Sequence, residues 1–289
     1  MRLLARAPGK VNLGLRLGRT RADGRHELAT VFQSVSLADE LILTVGGERD
    51  VVHCPGIAGE NLAARALAEL RRRGWGAPPV RIEIAKRVPV AAGMGGGSGD
   101  AAAALRLADA VEPVPPAVLA EIAAGLGADV PAQLRPGVSL GTGAGDQLEL
   151  LAPLAAHAYV IVRAASSLAT PAVFAEADRR GLPRPAPELD AWITRVREVP
   201  SGGRLPGELL VNDLEPAAIA LAPELEPTLR RVAQAGAEHA LVCGSGPTVA
   251  GLFWGGDAGA RAAAAAAALG PPAVVVHPVQ DGFAEPSPA

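Results

Sequence analysis

Between Pro89 and Asp100 the chain reads Pro-Val-Ala-Ala-Gly-Met-Gly-Gly-Gly-Ser-Gly-Asp, with five glycines in the seven positions Gly93 to Gly99. Glycine lacks the Cβ that would keep a polyanion away from the backbone. The following Ala101 to Ala108 holds neither proline nor glycine and favours helix. A glycine-rich turn opening a helix presents unpaired N–H groups at the positive end of the helix dipole, an arrangement suited to phosphate. Ser98 adds a hydroxyl for a phosphate oxygen or a metal ion. The same residues also describe a flexible loop before a surface helix, so other features must decide. Two better-known glycine motifs do not fit. Gly9-Lys10 is followed by Val11, where a Walker loop needs Ser or Thr, and the sixth position from Gly93 is Ser98, where a dinucleotide fingerprint needs glycine.

Other polar residues have two readings each. Asp129 precedes Val-Pro131, so it can cap a helix as readily as serve as a carboxylate for proton chemistry. Asn61 stands before the apolar stripe Leu62, Ala66, Leu67 and Leu70, which predicts a capped helix to about Arg73. His53, His157, His239 and His277 are scattered without ligand spacing and read as structural.

The elements that must position these residues alternate along the chain. Val11, Leu13, Leu15 and Leu17 predict a half-buried strand with Lys10 and Asn12 on its other face. The turn Arg21 to Arg25 leads into strand-like Leu28 to Leu37 and Glu40 to Val45. Val80, Ile82 and Ile84 alternate ahead of the glycine loop, so strand, loop and helix follow in order. Helices are expected at Pro116 to Leu126, Pro171 to Arg180, Glu188 to Glu198 and Pro223 to Ala235. Strands are expected at Tyr159 to Arg163, Ala240 to Cys243 and Thr248 to Trp254. The reading is α/β or α+β in two units sharing a cleft, 1–152 and 153–282, with 283–289 a loose tail.

Composition narrows the function classes. The chain of 289 residues is 49% hydrophobic but 3% aromatic, so aliphatic side chains must build the core. A net charge of −3 gives no electrostatic footprint for nucleic acid or an anionic membrane. Cys54 and Cys243 lie far apart without metal spacing, which suggests a reducing, cytoplasmic compartment. Arg2, Arg6, Lys10 and Arg16 interrupt any apolar leader, and the Ala-rich run 262–269 is too short to span a bilayer.

Three segments, Ala7-Pro-Gly-Lys-Val-Asn12, Pro89 to Asp100 and Val242-Cys-Gly-Ser-Gly-Pro-Thr248, resemble in order and spacing the motifs of the GHMP kinase superfamily. These are small-molecule kinases for galactose, homoserine, mevalonate and phosphomevalonate. Arg21 to His26, Thr30 to Gln33, Gly127 to Pro131 and Asn212 to Pro216 narrow the likeness to the family acting on a cytidine-diphosphate-linked methylerythritol in the non-mevalonate isoprenoid route. The resemblance implies a two-domain α+β fold, an active site in the interdomain cleft, ATP as phosphoryl donor, Mg²⁺ bound mainly by phosphate oxygens, and a small-molecule acceptor. Another kinase of the superfamily, or a catalytically silent nucleotide- or sugar-binding regulator on the same fold, are the alternatives.

The resemblance also implies roles. Asp129 would be the base and Lys10 its partner. Pro89, Val90, Ala91, Ala92, Gly93, Met94, Gly95, Gly96, Gly97, Ser98 and Gly99 would bind ATP, with Asn61 near its base and Ser98 also toward the metal. Asn12, Arg25, His26, Thr170 and Phe174 would face the cytidine substrate. Two residues depart from the family pattern. Arg25 stands where a tyrosine packs on cytosine, and its guanidinium could stack instead. Gly99 replaces the second of two serines, which shifts the phosphate or metal contact toward Ser98.

Overall fold

The computed structural model describes residues 1–57, 61–164 and 167–289. The chain opens with a long antiparallel hairpin, β1 (Arg2–Thr20) and β2 (His26–Val45). Its turn is closed by Arg21 N–H donating to the Arg25 carbonyl, with Gly24 at φ +81°. Then come β3 (Val51–His53), α1 (Leu62–Arg72) and β4 (Val80–Ala85). The glycine loop opens α2 (Gly96–Val111), followed by α3 (Pro116–Leu126), α4 (Val130–Leu134), β5 (Val138–Thr142) and β6 (Gln147–Leu150). The second half contributes β7 (His157–Arg163), α5 (Thr170–Arg179), α6 (Ala186–Arg197), α7 (Glu215–Leu221) and α8 (Leu225–Gln234). It closes with β8 (His239–Val242), β9 (Thr248–Trp254), α9 (Ala258–Leu269), β10 (Val274–Val276) and β11 (Ser287–Pro288).

Two sheets result. The first has the order β11-β1-β2-β4-β3, with β5 pairing a different stretch of β2 and carrying β6. The second has the order β10-β7-β9-β8. β4 pairs with Glu40 to Val45 of β2, and β5 pairs with Thr30 to Gln33. The two partners therefore part beside the middle of β2, where the glycine loop ties to β1 through the Lys10 N–H and the Met94 carbonyl, while α2 packs over the β1–β2–β4 part of the sheet. Ala101, Ala102, Ala103, Ala104 and Ala108 are fully buried. Their small side chains let α2 lie close to β1, β2 and α1.

Three expectations from sequence need correction. The strand at Val11 to Leu17 is buried on both faces, with Lys10 only 5% and Asn12 only 3% exposed. A register shift between Asn12 and Gly14 breaks the period of two, so Leu15 joins Lys10 and Asn12 on the cleft lining. Second, α2 begins at Gly96, inside the glycine run, so Gly97, Ser98 and Gly99 belong to its first turns. Third, residues 283–289 are no loose tail. Leu3 and Leu4 pair with Pro288 and Ser287, and the Arg106 guanidinium donates to the Ala284 carbonyl at 3.1 Å. The α7 helix is an addition to the sequence reading.

Candidate active site

A cleft of about 430 Å³ is lined by β1, β2, the glycine loop, the head of α4 and the turn between β8 and β9. At its centre the Lys10 ammonium donates to Asn12 Oδ1 at 2.8 Å and stands 3.4 Å from Asp129 Oδ2. The Asn12 amide donates to Thr30 Oγ1 at 2.8 Å, and Thr30 donates to the Gly14 carbonyl at 2.8 Å. This relay anchors Lys10 to the bulged part of the hairpin. Both side-chain ends of Asn12 are engaged, so it orients Lys10.

Asp129 occupies the N-cap position of α4 but makes no side-chain cap hydrogen bond. The capping reading therefore fails, and the carboxylate is turned toward Lys10. Asn61 does cap α1, its Oδ1 accepting from Ala63 N–H at 2.8 Å, and it also lines the cleft.

Of the residues expected to bind ATP, Pro89, Val90, Ala91, Ala92, Gly93, Gly95, Gly96, Gly97 and Ser98 line the cleft; Met94 and Gly99 do not. Met94 is buried, and its carbonyl accepts the Lys10 N–H at 2.8 Å, tying the loop to β1. Gly99 faces away, and a Cβ there would stand 3.0 Å from the Pro8 carbonyl. Its smallness seats α2 against β1, and a serine hydroxyl at this position would not have faced the cleft. Gly93, at φ +73°, is packed more tightly still, since a Cβ would fall 2.3 Å from the Cys243 carbonyl. Gly97 is open, with nothing nearer than a Leu62 methyl at 3.7 Å. The first turn of α2 has no side-chain cap, so its N–H groups are left for an anion in the cleft.

At the other end, Phe174 lines the cleft and packs on His26, with ring centroids 5.1 Å apart and a 38° tilt. His26 is 9% exposed and sits behind Phe174, its Nε2 2.8 Å from Asp178 Oδ1. Thr170 Oγ1 lies 3.0 Å from Ser245 Oγ, and both residues line the cleft. Arg25 is misplaced by the sequence reading. Its guanidinium donates to Asp23 at 3.1 Å and Asp146 at 3.0 Å and is not part of the lining. The Asp-Gly turn swings it outward to two carboxylates, so it does not replace a stacking ring.

The sequence reading did not single out a buried charge cluster at the cleft wall. Lys86, just after β4, bonds Asp39 of β2 and, at 2.7 Å, Asp100 of α2. Asp39 also accepts the Arg87 and Val88 N–H groups. Burial pushes the Asp100 carboxyl up to about 7 despite the pull of Lys86, with Asp39 adding to the rise. Burial lowers the Lys86 ammonium, and its two carboxylates outweigh that and raise it. Asn212, within a recognised motif, donates to the Val242 and Gly244 carbonyls at 2.8 and 2.7 Å and so shapes the β8–β9 turn.

A divalent ion fits this donor set only as a partner of phosphate. Among the described residues no group of three His, Cys, Asp or Glu could hold a metal by itself. Asp129 and Asp100 are each beside a lysine, which leaves the Ser98 hydroxyl. Mg²⁺ keeps waters and phosphate oxygens and needs few protein ligands. Among the described residues no helix is long and apolar enough to cross a membrane.

Residues 61–137 match the family described as GHMP kinases N terminal domain, and residues 186–271 match GHMP kinases C terminal. A 4-diphosphocytidyl-2-C-methyl-D-erythritol kinase of Streptomyces coelicolor is 44% identical, covering 87% of this chain and 88% of the relative. The Thermobifida fusca protein of the same name is 43% identical over 92% of this chain and 91% of its own length. A crystal structure of a 4-(cytidine 5'-diphospho)-2C-methyl-D-erythritol kinase superposes with a TM-score of 0.73 at 36% identity, covering 96% of this chain and all of the other. A homoserine kinase from Cytophaga hutchinsonii, at 18% identity and a TM-score of 0.67, shares the fold. With both GHMP kinase domains matched and relatives of 43–44% identity covering most of both chains, the chain belongs to the 4-diphosphocytidyl-2-C-methyl-D-erythritol kinase family of the GHMP kinases.

Proposed function

We propose that this chain transfers the γ-phosphoryl group of ATP to the 2-hydroxyl of 4-diphosphocytidyl-2-C-methyl-D-erythritol, a step toward isoprenoid precursors. The observation that carries the reading is the Lys10–Asp129 pair, 3.4 Å apart and facing the uncapped head of α2 across one cleft. Phosphoryl transfer needs positioning and charge neutralisation more than covalent chemistry. Asp129 takes the proton of the acceptor hydroxyl as its oxygen bonds to the γ-phosphorus and the bond to ADP breaks. Lys10 neutralises charge on the group in flight. Backbone N–H groups at Gly96 to Ser98 cradle the phosphates, and Asn61 stands toward the base. Mg²⁺, held mainly by phosphate oxygens with Ser98, would add further neutralisation.

For the acceptor, Phe174 offers the cytosine face, with His26 supporting that ring from behind and Thr170 at the rim. Asn12 serves by holding Lys10. A silent regulator would have no use for the buried relay from Thr30 through Asn12 to Lys10. Two free cysteines suit a cytoplasmic, reducing setting. An ADP-release assay with the cytidine substrate, homoserine, mevalonate and galactose tests the reading. Turnover confined to the cytidine substrate is expected, and preference for any of the others would overturn the acceptor assignment.

A further inference from the structure

Thr170, Phe174 and Asp178 recur at intervals of four along α5, so they form one stripe of that helix. Each has its own partner. Thr170 Oγ1 lies 3.0 Å from Ser245 Oγ in the β8–β9 turn, the Phe174 ring packs on His26 at 5.1 Å, and Asp178 Oδ1 lies 2.8 Å from His26 Nε2. The neighbouring stripe, Val173 and Ala177, is buried in one cluster with Ala217 and Ala218 of α7. His26 opens β2 of the first sheet, whereas α5 follows β7 of the second. The Asp178–His26–Phe174 contacts therefore join elements from the two halves of the chain.

A carboxylate only accepts hydrogen bonds, so the His26 nitrogen facing Asp178 carries the proton and donates it. Thr20 Oγ1, at 3.3 Å from the same nitrogen, is the longer contact. Asp178 thus fixes the rotation of the imidazole on which Phe174 rests, and Phe174 lines the cleft. An aromatic wall held in place before the ligand arrives lowers the cost of ordering it on binding. We propose that Asp178 is a positioning residue for the substrate end of the cleft, acting through His26 to hold Phe174 where it meets the cytosine ring. The inference rests on the reading of the cleft as a site for the cytidine substrate. Asp178 is absent from the lining, so its effect belongs to substrate binding and not to phosphoryl transfer.

Asp178→Ala should raise the Michaelis constant for the cytidine substrate about three- to tenfold, the usual effect of losing one hydrogen bond. Its kcat and its Michaelis constant for ATP should not change. Asp178→Asn keeps an oxygen that can accept from His26 and should restore near wild-type values. In a Phe174→Ala background Asp178→Ala should add nothing, because the residue acts through that ring. Calorimetric titration with cytidine diphosphate should weaken by the same factor in Asp178→Ala. An unchanged substrate constant overturns the inference, as do a loss in kcat or a full multiplicative effect in the Phe174→Ala background. An Asp178→Ala chain that does not fold overturns it too, because the carboxylate would then be structural. If the wild-type chain neither binds cytidine diphosphate nor turns over the cytidine substrate, the proposed function fails and this inference falls with it.

Discussion

Asp129 stands at the N-cap position of α4, but with helical backbone angles and no cap hydrogen bond, and its carboxylate lies 3.4 Å from the ammonium of Lys10. Lys10 is 5% exposed and oriented by Asn12, so its charge is held at one place in the cleft. Lys10→Met should lower turnover by about 10²–10³-fold, the usual effect of removing a charge-stabilising donor. Affinity for ATP should change much less. Steady-state kinetics beside an ATP titration separate the two, and a loss confined to ATP affinity would make Lys10 a ground-state binder.

The glycine positions make unequal demands. Gly93→Ala combines φ +73° with a Cβ 2.3 Å from the Cys243 carbonyl, so the loop must shift and thermal stability should fall. Gly97→Val meets no such obstacle, and its side chain would enter the space where phosphate approaches. Its melting temperature should stay near wild type while ATP affinity is lost. Retained affinity in Gly97→Val would place the triphosphate elsewhere. Gly96 is a poorer probe, because a Cβ there meets Val88 and Lys86.

Phe174 and Arg25 should part company in substrate binding. Phe174→Ala removes a ring that lines the cleft and is expected to cost about 0.5–1.5 kcal/mol of affinity for the cytidine substrate beyond lost area. Arg25→Ala breaks surface ion pairs with Asp23 and Asp146 and should leave that affinity unchanged. Substrate Michaelis constants for both variants decide it, and weakening in Arg25→Ala alone would restore the stacking role to the arginine.

His157 gives the fold an acid sensitivity away from the cleft. Its ring packs on Tyr159 and Trp254, with centroids 5.2 and 5.0 Å away, and burial lowers its pKa from the ordinary 6.5. The folded state thus favours neutral imidazole. That contribution is fully present above pH 6.5 and is lost as pH falls from there through the lower folded value. His157→Phe should flatten this part of the melting-temperature profile. An unchanged acid slope would show that other groups dominate it.

The strand–loop–helix order around the glycine run, the Asn61 cap and the placing of Lys10 beside Asn12 were legible because each depends on local spacing. The face reversal at Leu15 was not, since a bulge after Asn12 leaves no mark in an alternating sequence. Pairing of Ser287 and Pro288 with Leu4 and Leu3 spans the whole chain, which no local pattern encodes. The same holds for Asp39, Lys86 and Asp100, which lie far apart in the chain and meet only when the fold brings them together. Arg25 failed for a related reason: Asp146, which draws it outward, lies 121 residues away.

The most direct test of the account is phosphoryl transfer by Asp129→Asn. With ATP and the cytidine substrate saturating, ³¹P NMR should show a new phosphomonoester formed by the wild-type chain. The variant should form it about 10²–10⁴-fold more slowly, the usual contribution of a positioned base. Its melting temperature should be unchanged, because the side chain makes no cap hydrogen bond. A variant that transfers phosphate at near wild-type rate, or a wild-type chain that forms no phosphomonoester, would contradict the account.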